Sequence, residues 1–109
     1  MPESKLISYI TSDFQTKSDL KIGEMEWENI MNAKFDKFKK AGAIRQTVTQ
    51  IWNKEGTLRL GHLWEYKDEK AFVECQKIFR EAEIEFKKKT GIIWKVFSNR
   101  DIVLYDVIY

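Results

Sequence analysis

The chain reads as an α+β domain with the element order βαββαβ. Two observations carry that prediction. Along the sequence the apolar period switches between two, the strand value, and about 3.6, the helical value, in that order. Each of the two helical stretches ends in a lysine-rich turn followed by glycine, which marks where the chain turns back into strand.

The first strand is expected over residues 6–14. Ile7, Tyr9 and Thr11 alternate with Leu6, Ser8 and Ile10, in β-branched and aromatic company. Residues 15–23 are polar, end in Gly23, and read as a long connection that could act as a lid. From Glu24 to Ala41 the spacing predicts one helix, with Trp27, Ile30, Met31, Phe35 and Phe38 on its buried face. Acidic residues fill its first turns and lysines its last, the sign order the helix dipole favours. A hairpin follows: strands over 43–52 and 57–66, joined by the turn Asn53-Lys54-Glu55-Gly56. On the second of these strands Leu58, Leu60, His62, Trp64 and Tyr66 share one face, which should lie under the helices.

Asp68 is a good N-cap for the second helix. Its buried stripe is Ala71, Phe72, Cys75, Ile78, Phe79, Ala82 and Phe86, and Gly91 closes it. A fourth strand is expected over 92–97, a turn at Ser98-Asn99-Arg100-Asp101, and an extra C-terminal strand or extension over 102–109. The result is a split βαβ arrangement: an antiparallel sheet with two helices on one face.

At 109 residues the chain is the size of one domain spanning 1–109, large enough to bury a core. Its hydrophobic fraction of 43% excludes a disordered composition. Seven Phe, four Trp and four Tyr are more rings than a small core needs, so some are available to an interface or a pocket. A net charge of +2 from 19 basic and 17 acidic residues gives no strong pull toward nucleic acid or an anionic membrane. The single cysteine, Cys75, allows no internal disulfide and favours a reducing compartment. The opening residues Met1-Pro2-Glu3-Ser4-Lys5 lack the pattern of a secretory leader, and no stretch is apolar for the roughly 20 residues a membrane span requires. A cytoplasmic protein is expected.

A sheet covered by helices on one side leaves its other face bare. Ile51 and Leu63 fall on that face. The C-terminal segment is apolar on both sides, with Ile102, Leu104 and Ile108 alternating with Val103, Tyr105, Val107 and Tyr109. Burial of such a segment against a twofold copy is the economical solution, so a homodimer is expected over a monomer that folds the segment back on itself.

This order of elements resembles the dimeric α/β-barrel superfamily, ferredoxin-like domains whose sheets face one another across a twofold axis. The run Leu63-Trp64-Glu65-Tyr66-Lys67-Asp68-Glu69-Lys70-Ala71-Phe72 is similar to that superfamily's passage from an aromatic-ended third strand into an acid-capped second helix. Members include cofactor-independent monooxygenases of the antibiotic-biosynthesis type and haem-degrading relatives. The resemblance implies a small-molecule site between helices and sheet, and matches Trp64 to the monooxygenases' strand tryptophan. Their first-strand asparagine has no counterpart here, since Ser8, Tyr9 and Ile10 stand there. The haem-degrading members' histidine on the second helix is missing between Asp68 and Gly91, so haem is not expected, nor any other cofactor.

His62 is the sharpest single candidate. It is the only histidine and sits on an apolar strand face, where it would line a pocket or serve as a core residue with one hydrogen bond. With Trp64, Trp27, Met31, Tyr9 and Phe72 it makes up the candidate ligand-binding pocket; Trp94 is a further ring for such a cavity, and Met25 a further adaptable side chain beside Met31. Rings at these spacings are equally the residues of a plain core. No metal site is expected, because His62 has no partner ligands at short spacing. Arg45 and Arg59 could neutralise an acidic ligand or form ordinary ion pairs. Cys75 reads as core rather than nucleophile, and Gly61 as a bulge or a point of close approach.

The expected function is a homodimeric small-molecule-binding protein whose apolar pocket takes a fatty-acyl or aromatic acid. An alternative places a cofactor-independent monooxygenase or isomerase on the same pocket, with His62 as base. RNA binding ranks last, because the third strand lacks the basic-Gly-aromatic pattern of RNA-recognition domains.

Overall fold

The computed structural model describes residues 6–109. The elements are β1 (Leu6–Phe14), α1 (Lys17–Ala33), α2 (Phe35–Ala41), β2 (Ala43–Gln50), β3 (Arg59–Tyr66), α3 (Glu69–Thr90) and β4 (Trp94–Ile102). The strands form one antiparallel sheet in the order β2-β3-β1-β4.

The segment read as a long connection is helical from Lys17. Thr16 is its N-cap, and its hydroxyl accepts a hydrogen bond from the Asp19 amide at 3.0 Å. No lid is therefore formed by residues 17–23. The first helical stretch is also divided. At Lys34 the backbone leaves helical geometry, and its ammonium reaches Glu81 at 3.7 Å and Glu85 at 3.6 Å on α3. The helix restarts as α2, and Phe35, expected on the buried face, is 62% exposed. Three helices, not two, cover the sheet.

Gly42 closes α2 with φ at 104°, a left-handed conformation that side chains disfavour. A Cβ there would lie 2.5 Å from the Ala71 Cβ, so α2 ends hard against the start of α3. Asp68 caps α3 as expected, accepting from the Ala71 amide at 2.8 Å.

The expected turn at 98–101 is a further correction. Those residues stay in β4 and pair with β1, Ser98 opposite Ile10 and Asp101 opposite Ile7. Residues 103–109 then form no strand within the chain, and Leu104, Tyr105, Ile108 and Tyr109 are exposed. The extra C-terminal strand is thus replaced by a longer β4, and the sheet remains open.

The core lies between the sheet and the helices. Trp64, Tyr66, Ile30, Cys75, Phe79 and Phe86 are its centre. Each large ring there meets another edge-on or tilted, as Phe79 does against Trp64 at 4.6 Å. The opposite face of the sheet carries Tyr9, Leu63 and Phe97, and among the described residues no element lies over it. Among the described residues no helix is long and apolar enough to cross a membrane.

Candidate functional site

Strand alternation decides which side chains can meet beneath the helices. On β1 the inward set includes Ser8, Ile10 and Ser12; on β3 it is Leu60, His62, Trp64 and Tyr66. A cavity of about 50 Å³ lies between these strands, α1 and α3. His62, Trp64, Trp27, Ser12, Phe86 and Trp94 are among the residues around it.

Of the expected pocket residues, His62, Trp64 and Trp27 come together here. The others stand elsewhere. Tyr9 pairs with Leu63 on the opposite face of the sheet and is 38% exposed. Met31 is packed in the core and borders the outer grooves beside β2. Phe72 packs edge-on against Tyr66 at 5.4 Å, with the Arg100 guanidinium over its ring at 4.8 Å.

Several cavity residues escaped the sequence reading. Ser12 and Phe14 share the parity of Ile10, so strand alternation alone would have found them. Gly23 was hidden because its helix was read as loop. It lies inside α1, where glycine is disfavoured by about 1 kcal/mol relative to alanine. A Cβ at Gly23 would meet Cε1 and Cζ of Phe14 at 2.8 Å. The missing side chain is what lets the Phe14 ring lie against the helix.

His62 is buried and touches Trp27 edge-on, ring centroids 5.8 Å apart. Burial pushes its pKa down to about 4, so the imidazole is neutral at pH 7. A neutral imidazole carries one donor and one acceptor. Its Nδ1 is buried without a hydrogen-bond partner, and so are the indole nitrogens of Trp27 and Trp64. Unpaired buried polar atoms are costly in a core, and such atoms concentrate where a structure does something besides pack. Among the described residues around the cavity there is no Lys or Arg, and Glu83 is the only acidic one. Three of the residues lining the cavity thus carry a buried nitrogen without a partner, and no described lining residue carries a positive charge to neutralise an anion.

The remaining candidates are spent on structure. Arg59 forms a two-pronged pair with Asp13, at 2.5 and 3.1 Å, and Arg45 lies 3.5 Å from Glu65. Cys75 is fully buried and its thiol is pushed up to about 11, the opposite of an activated nucleophile. At Gly61 an added Cβ would meet Thr49 Oγ1 at 2.7 Å, so this close approach is made by the chain's own side chain; the sheet irregularity is in β2, between Ala43 and Arg45. Among the described residues no group of three or more His, Cys, Asp or Glu could hold a metal ion.

With this geometry in view, a family model described as "Domain of unknown function (DUF6974)" matches residues 3–103. The chain belongs to that family. A dimeric ferredoxin-like protein from an uncultured marine organism superposes with a TM-score of 0.86 at 24% identity, over 97% of this chain and 100% of that one. A second such protein, also from an uncultured marine organism, gives 0.85 at 22%, over 96% and 100%. A monooxygenase of Streptomyces coelicolor, solved in complex with nanaomycin D, gives 0.70 at 12%, over 100% and 96%. No curated protein matches the chain. The fold of the DUF6974 chain is thus that of dimeric ferredoxin-like proteins and of monooxygenases of the antibiotic-biosynthesis type.

Proposed function

We propose that this protein is a one-domain, cytoplasmic homodimer that binds a small aromatic molecule between its helices and its sheet. The observation that carries the reading is the donor set around the cavity. Two indole N–H groups and a neutral imidazole, each with an unpaired buried nitrogen, stand among aromatic rings, and no cation is among the described residues that line the inner cavity. Such a set suits a planar ring bearing neutral oxygens, such as a phenol or quinone. An acid is a poorer fit inside the cavity, because a buried carboxylate without a counter-charge is strongly disfavoured. The sequence led to the expectation of a fatty-acyl or aromatic acid; the uncharged lining argues against a carboxylate of either kind inside the cavity, and the surrounding rings favour an aromatic body.

The homodimer reading rests on the open face and on the printed description of two structural relatives as dimeric. Tyr9, Leu63 and Phe97 on that face, with the exposed apolar residues after Ile102, supply the surface that a second copy would bury.

A second reading makes the same cavity an active site, and the Streptomyces coelicolor monooxygenase lends it support by likeness of fold. The chemistry argues against His62 as its base. With a pKa near 4 it accepts protons weakly at neutral pH. Its better role is to orient a ligand oxygen.

Native mass spectrometry of freshly purified protein, followed by solvent extraction, tests the reading. A dimer carrying a fixed additional mass, extractable as an aromatic compound, is the expected result. A monomer overturns the assembly. A dimer that neither carries a passenger nor binds simple phenols and quinones in titrations overturns the ligand class.

A further inference from the structure

Two hollows in this molecule share a wall. Besides the inner cavity, an open groove of about 490 Å³ runs between the C-terminal part of α3 and the start of β4. Glu83, Trp94 and Val96 line both. The inner cavity, at about 50 Å³, has room for only a few water-sized molecules at roughly 10–15 Å³ each. Sites for small ligands are commonly about 300–1,000 Å³. Taken alone, the cavity is too small; joined to the groove, it is large enough.

Trp94 is the partition. On its inner side the ring meets Phe86 edge-on at 4.8 Å. On its outer side the Lys87 ammonium lies 5.7 Å from the ring centroid. The ring is only partly buried where it packs against the core, and of these two contacts one is a single edge contact, the other an exposed cation on a flexible stem. The backbone gives the same freedom. Trp94 is the first residue of an edge strand, paired with Phe14 on one side and with no strand on the other. Its side chain can turn without breaking a central ladder. Its neighbours facing the groove, Ile93 and Val96, are exposed at 73% and 45%, giving the groove an apolar floor.

We propose that Trp94 is a gate, and that the groove between α3 and β4 is both the entrance to the cavity and the outer half of the ligand site. The occupant is the aromatic molecule of the preceding section, on whose reading this inference rests. Its ring passes inside, and the remainder of an elongated molecule lies along Ile93 and Val96. The rival entrance is on the other side of α1. There a groove of about 280 Å³ beside Val48 touches the cavity only through Trp27.

The test uses acrylamide, a small neutral quencher that must touch an indole to quench it. Trp52 is 91% exposed and would dominate the signal, so all variants carry Trp52→Phe. In that background Trp94→Phe keeps a ring at the gate, while Trp94→Leu and Trp94→Ala open it in steps. In each of them Trp27 and Trp64 are the reporters. The quenching constant is expected to rise several-fold from Phe to Ala, with Leu between, while far-ultraviolet circular dichroism stays constant. Should Ala unfold the protein, the Phe-to-Leu step carries the test. An equal constant for Phe and Leu overturns the gate, and so does a rise produced instead by adding Val48→Ala to the Phe variant. Titration with 2-naphthol separates this inference from the function it rests on. Faster association in the opened variants supports both. Quenching that opens without any naphthol binding supports the gate and counts against the aromatic ligand.

Discussion

The two faces of the same sheet have met different fates. On β3, Leu60, His62, Trp64 and Tyr66 are 2, 6, 3 and 0% exposed. Their neighbours Leu63 and Glu65, one residue out of phase, are only half-buried. The inward face is completed by this chain's own helices. The outward face combines fixed ion pairs, such as Arg59 with Asp13, with unspent rings, Tyr9 and Phe97. One face is a finished core and the other is open, the half of an interface that the proposed homodimer would complete. Alternation places residues on a face, and only the partner element decides whether that face is a core.

The difference can be broken most severely at Trp64. Replacing it with alanine removes a ring held between Phe38 and Phe79, and about 3–5 kcal/mol of stability is expected to go with it, measured by urea unfolding. The next largest effect is acidity. His62 titrates near 4 when folded against an ordinary 6.5, so between those values the unfolded chain binds more protons than the folded one. Stability is expected to be full above pH 6.5, to fall as the pH drops through that window, and to have lost on the order of 3 kcal/mol near pH 4 at about 1.4 kcal/mol per unit. His62→Leu is expected to flatten that slope in a series of thermal melts. Leu60 and Leu63 sharpen the contrast on one strand. Leu60→Ala is expected to cost about 2–5 kcal/mol and Leu63→Ala distinctly less in the separated protomer. The smallest effect on protomer stability, within about 0.5 kcal/mol, is expected from Tyr9→Lys with Phe97→Lys. Light scattering should nevertheless find that double variant monomeric.

What the sequence made legible follows from where local rules were unopposed. The hairpin strands, the Asp68 cap and the stripe of α3 were readable because period, cap and stop signal agreed there. The start of α1 was also written, in Thr16 and Asp19, but Gly23 looked like the end of a loop. Ser98-Asn99-Arg100-Asp101 has turn chemistry, yet pairing with β1 overrides it, an interaction between residues about ninety positions apart that no local window contains. The site was half readable for the same reason. His62, Trp64 and Trp27 follow from strand and helix phase. Glu83, Phe86 and Trp94 join them only through the packing of α3 and β4 on the sheet.

Gly23 ties the cavity's shape to its helix. Any glycine codon becomes an alanine codon by one base change, and alanine would restore the helical propensity that α1 forgoes, about 1 kcal/mol. The same methyl group would meet Cε1 and Cζ of the Phe14 ring at 2.8 Å, so the ring would have to shift. The mutational step that strengthens the helix is thus also the step that reshapes the cavity. If the proposed ligand depends on the cavity's shape, Gly23→Ala is expected to alter binding even where the gain in helix propensity leaves the protomer's stability nearly unchanged.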